Sequence, residues 1–150
     1  MANRAYVGPA NRQPITVGNK TVGSALLPCT FVTEGASSFA QATAVGPMVR
    51  LLAPRDWYSI GQFDTTDPLL TAYVSGDTAE AFVLEPGQEY MIAAASATYT
   101  FGQELTIAAA GRVAGAASTN VVVAFAKEAG AKTAGALLRV EIAAVNYVKA

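Results

Sequence analysis

Histidine is absent from all 150 residues of this chain, and that omission removes much of the chemistry a small protein could attempt. The usual general base is gone, and with it the Ser-His and Cys-His nucleophile pairs and most zinc and copper sites. Cys29 is the only cysteine, so no intramolecular disulfide can form. With no imidazole to draw off its proton, Cys29 reads as a small buried hydrophobe. Carboxylates need a separate look, because a glycosidase or an aspartic protease requires only a pair. Asp64 and Asp67 lie among turn residues, where aspartate bonds its own backbone, and the ordered D-x-D-x-D-G series of a calcium loop is missing. Asp77, Glu85 and Glu89 fall at strand ends and turns as solvated charges. Gly102-Gln103-Glu104 and Gly111-Arg112 are not phosphate loops, since no Gly-x-x-x-x-Gly-Lys-Ser/Thr occurs and no helix follows. The expectation is a protein that is not an enzyme, with no catalytic residues, no cofactor and no metal.

What remains is recognition by surface. The ten basic residues are scattered, so Arg50, Arg55 and Arg112 read as rim or ion-pair residues, and no nucleic-acid partner is expected. Trp57, Tyr58 and Phe63 form the densest aromatic cluster, open to two readings. One is core packing; the other is an interface anchor beside Arg55. Hydrophobic residues make up 52% of the chain and charged ones only 14%, with a net charge of −1. Such a surface has little colloidal repulsion and suits a protein covered by partners, so a homo-oligomer is expected. No apolar run approaches the length of a membrane span. The first residues lack the apolar core of a signal peptide, which points to synthesis in a reducing cytoplasm.

The elements that must position these residues are short strands. Across residues 76–142, apolar runs are cut by glycine turns. Residues 78–84 alternate so that odd and even positions face opposite sides of a sheet. Pro86-Gly87 fits the centre of a type II turn, because proline presets φ at the first position and glycine accepts a positive φ at the second. Residues 104–107, 120–127 and 137–142 repeat the strand signal between glycine turns. The predicted core includes Val83, Leu105, Val121, Val123, Phe125, Val140 and Ile142.

Upstream, residues 26–33 read as a strand broken by Pro28, and residues 36–45 are open between a short helix and a loop. Residues 48–53 read as a buried strand stopped by Pro54, and residues 69–74 as a further strand. This order favours a mainly β single domain, a small barrel or sandwich, over residues 25–150. Residues 1–24 carry few large apolar groups and cannot offset their own ordering entropy. They are either a frayed terminus or an extended N-terminal arm that orders on a neighbour, with Tyr6, Val7, Ile15 and Val17 as its anchors.

Within residues 75–143 the motifs run in a set order: Gly76-Asp77, Gly87, Thr100-Phe101-Gly102-Gln103-Glu104-Leu105 and Gly111-Arg112-Val113. Val121-Val122-Val123-Ala124-Phe125-Ala126, an Ala/Gly loop and Leu138-Arg139-Val140-Glu141-Ile142 follow. This series resembles the bacteriophage capsid cement (head decoration) family over a little under half the chain; residues 1–74 depart from the compact family pattern. The resemblance implies a β-tulip-like fold and attachment to the major capsid protein on the outer surface of an assembled head, in the virion. It also implies a homotrimer at threefold positions, or a dimer at twofold ones. The alternative, from a different class, is a fibre- or adhesin-like β-sandwich that binds glycans, with Trp57 and Tyr58 as its platform.

Overall fold

The structure, a computed structural model, describes residues 5–54 and 69–150. The first five strands are β1 (Tyr6–Gly8), β2 (Ile15–Val22), β3 (Phe31–Glu34), β4 (Ser38–Gln41) and β5 (Val49–Leu52). Then come β6 (Thr78–Val83), β7 (Glu89–Ala93), β8 (Ala97–Tyr99), β9 (Glu104–Ala108) and β10 (Arg112–Gly115). The last three are β11 (Val121–Ala126), β12 (Gly130–Lys132) and β13 (Leu137–Val148). A 3-10 turn at Ala109–Gly111 joins β9 to β10.

Two units share the chain. The strands β2-β4-β3-β5-β6 close into a barrel, and a six-stranded sheet runs in the order β1-β7-β13-β11-β9-β10. A small ribbon pairs β12 with β8. The mainly β single domain expected from sequence is the architecture found, and the barrel form is the one adopted.

The two units are joined by a wall whose central residues are packed on both faces. Along β3, Phe31 enters the larger core while Val32 enters the barrel core. Leu51 and Leu52 divide in the same way on β5, as do Phe82 and Ala81 on β6. Successive strand residues point to opposite faces, and here both faces are packed. That is why Val49-Arg50-Leu51-Leu52 ends in consecutive apolar residues rather than an alternation. The larger core continues into the sheet through Tyr90, Ile92, Leu105, Val113, Leu138 and Val140.

Leu105, Val123, Val140 and Ile142 are buried as expected. Val83, Val121 and Phe125 are only half-buried; Phe125 lies beside Tyr147, with ring centroids 6.4 Å apart.

Several elements differ from expectation. Residues 6–22, expected within an arm over residues 1–24, contribute two strands to this chain's own sheets. β1 pairs with β7 as Tyr6↔Tyr90, and β2 pairs with β6 and, in parallel, with β4. Of the β2 side chains only Val22 is buried, so main-chain pairing holds that strand where side-chain burial does not. Residues 38–41 form a strand rather than a helix or loop, and residues 69–74 supply only an isolated bridge, Leu26↔Tyr73. β13 runs on to Val148, well past Ile142.

Candidate docking surfaces

The N-terminal anchors meet the molecule at one end of the six-stranded sheet. Tyr6 is half-buried, with its ring edge-on to Tyr90 at 5.4 Å between centroids. Below it Tyr90 is fully buried and donates its hydroxyl to Gln88 Oε1 at 2.7 Å, while Gln88 Nε2 donates to Glu85 at 2.9 Å. Burial pushes the Tyr90 phenol well above its ordinary range, with Tyr6 and the nearby Glu85 charge adding to the effect. Gly87 carries the positive φ of 80° that the Pro86-Gly87 turn requires. Val7 and Ile15 remain exposed and Val17 is half-buried. The other candidates, Arg55, Trp57 and Tyr58, lie outside the described residues, as do Phe63, Asp64 and Asp67.

The outer face of the sheet carries charge that is neutralised in place. Arg139 Nε donates to Glu89 at 2.7 Å, and Lys127 bridges Glu141 at 2.8 Å and Glu89 at 3.6 Å. The Glu141 hydrogen bond raises the Lys127 ammonium above its usual range. Glu104 accepts from the Tyr147 hydroxyl at 2.7 Å and from Lys149 at 2.9 Å, and those two contacts, in that order, hold its carboxyl below the ordinary glutamate range. On the barrel, Lys20 and Arg50 converge on Glu34, each at 2.9 Å. The Lys20 hydrogen bond is the first cause of that carboxyl's lowered pKa. Arg50 is therefore the ion-pair residue that the sequence suggested. Glu89, read as a solvated charge, is instead the hub of a network.

Sequence reasoning missed the apolar surfaces around β13. A cleft of about 310 Å³ lies between barrel and sheet, lined in part by Phe31, Met48, Leu84, Pro86, Ile142 and Val145. Met48 and Val145 are exposed at its mouth. Beyond it, Val145 and Val148 are 73% and 63% exposed, on a stretch that β7 does not reach. The only available signal was the uncharged run Ala143-Ala144-Val145-Asn146-Tyr147-Val148, which lies past the last recognisable motif. Cys29 is fully buried within the larger core. No helix of the described residues is long and apolar enough to cross a membrane.

A five-stranded barrel sharing a wall with a six-stranded sheet, with ion-paired and apolar outer faces, defines an all-β module. The chain is similar to a solved structure, the N base of head fiber gp8.5 in bacteriophage phi29. The TM-score is 0.58 at 12% sequence identity, covering 90% of this chain and 98% of that one. The likeness shows a shared fold. No family model and no curated protein matches the chain.

Proposed function

We propose that this chain is a structural protein of a bacteriophage head, bound to the outer surface of the assembled shell as a cement (decoration) protein. The observation that carries the reading is the fold likeness to a head-fibre base, which spans nearly all of both chains. The cement-family motifs across residues 76–142 support the finer role, and the exposed apolar residues of β13 supply surface for a partner. That partner is the major capsid protein of the assembled head, and the protein's own copies associate as a homotrimer.

The mechanism needs no active site. A ligand that binds only the assembled lattice stabilises it by mass action, and many weak copies add through multivalency. The binding site is then composite, formed by neighbouring capsid subunits and absent from isolated ones. The test compares heads with and without saturating protein under heat and osmotic shock. Raised resistance, together with no binding to unassembled capsid protein, is expected. Equal failure of both preparations defeats the cement role, and tight binding to a soluble glycan instead would favour the recognition-module alternative.

A further inference from the structure

We propose that the open edge of β13, from Ala144 to Val148, takes an added strand: an extended, uncharged segment of a partner polypeptide that continues the sheet where β7 stops. On this side β13 has a neighbour only as far as Ile142. There the Ile142 N–H donates to the Gln88 carbonyl at 2.9 Å, and the Gly87 N–H donates to the Ile142 carbonyl at 3.0 Å. Past the Pro86-Gly87 turn the chain leads back to β6 in the barrel. Among the described residues no main chain pairs with residues 144–148 on that side, and all five are exposed.

The direction of the main-chain groups follows from the other side, where β11 pairs Val122 with Tyr147 and Val121 with Val148. The Lys149 N–H donates to the Asn120 carbonyl at 2.9 Å, and the Lys149 carbonyl accepts from the Thr119 N–H at 2.9 Å. The Lys149 main chain therefore faces β11. These groups alternate in direction along an antiparallel strand, so Asn146 and Val148 turn their N–H and C=O groups to the open side.

Such a row of alternating donors and acceptors is matched by another extended backbone. Edge strands are commonly guarded by lysine, other charges or proline, and Ala143–Val148 has none of these. The register shift opposite Val123 keeps the usable edge short, so each docking is weak and gains from many copies. The cleft gives the added strand a place for an apolar side chain, between Met48, Leu84, Pro86 and Val145. Arg50, the charged residue in its lining, is already committed to Glu34 at 2.9 Å. An uncharged segment is therefore the complementary occupant.

The inference rests on the proposed function for its partner, since the segment is then one offered by the major capsid protein. Its test uses free protein with no heads present, so the two readings fail separately. Recognition through the main chain tolerates sequence, and the probe is a short synthetic peptide alternating isoleucine and threonine, with a lysine at each end. Amide hydrogen exchange of the full chain is followed by nuclear magnetic resonance. Saturating peptide is expected to slow exchange at Asn146 and Val148 about tenfold or more, and to leave Tyr147 unchanged. Unchanged exchange at either residue overturns the proposal. So does protection that appears on concentrating the protein without peptide, because a second copy then holds the edge. An Asn146→Pro variant removes one outward donor, and proline is tolerated where the N–H points away from the ladder. It should weaken peptide binding about tenfold with the melting temperature little changed. Undiminished binding overturns the strand addition; if the variant does not fold, the exchange measurement on the wild-type protein decides alone.

Discussion

At the scale of single residues, glycines that look alike in the sequence do different work. Gly76 and Gly111 both have positive φ, 91° and 65°. A Cβ on Gly76 would meet nothing within 4 Å, whereas one on Gly111 would run into the Gln41 side-chain amide and the Phe31 carbonyl. Gly76→Ala should therefore cost only backbone strain, about 1 kcal/mol. Gly111→Ala should cost about 3 kcal/mol or more, because the β9–β10 turn must then move off β3. Urea midpoints of the two variants check the contrast. Titration gives a second expectation. Glu34 and Glu104 have folded pKa values below the ordinary 4.5, so their stabilisation is complete above that value and is lost as pH falls through the lower folded ones. Tyr90 lies above its ordinary 10.0, so stability is also lost as pH rises past 10. Melting temperature against pH should be flat near neutrality and fall at both ends; Glu34→Gln should shrink the acid limb. The sequence offered Tyr6 as an anchor on a neighbour; in the structure its ring packs on this chain's own Tyr90, which is distant in sequence, so no local pattern could name it.

At the scale of elements, the downstream strands were legible because alternation and glycine turns are local signals. β9 and β11 fall within about a residue of where the apolar runs place them. β2 was not legible. Its Ile15-Thr16-Val17-Gly18-Asn19-Lys20-Thr21-Val22 sequence buries one side chain, and its place is set by backbone pairing to strands far along the chain. The consequence is testable. Deletion of residues 1–23 removes a stave of the closed barrel and should abolish cooperative unfolding, as read by circular dichroism melting. Deletion of residues 1–12 removes β1 but leaves β2 and should preserve a cooperative melt at lower temperature. β13 was legible only to Ile142, because Ala143–Val148 carries no charge, glycine or proline to mark a boundary, and the apolar surface there went unseen with it.

At the scale of the whole molecule, the β class followed from composition and turn spacing, whereas barrel closure depended on pairings that no stretch of sequence contains. If the shell is the partner, the isolated protein should bind heads with an apparent affinity that falls when Val145 and Val148 are replaced by Asp, with its melting temperature little changed. Charge there opposes docking without touching either core, and pelleting with heads measures it. The wall shared by β3, β5 and β6 bears on the same setting in mechanical terms. A partition packed on both sides has little empty space to buckle into, apart from the cleft that Phe31 borders. Flattening the barrel would drive Phe31, Leu51 and Phe82 into a core already at close packing, which yields little. Where the wall is packed on both faces, barrel and sheet should deform together, and a load arriving at one end should pass through the shared strands to the other, as along a strut.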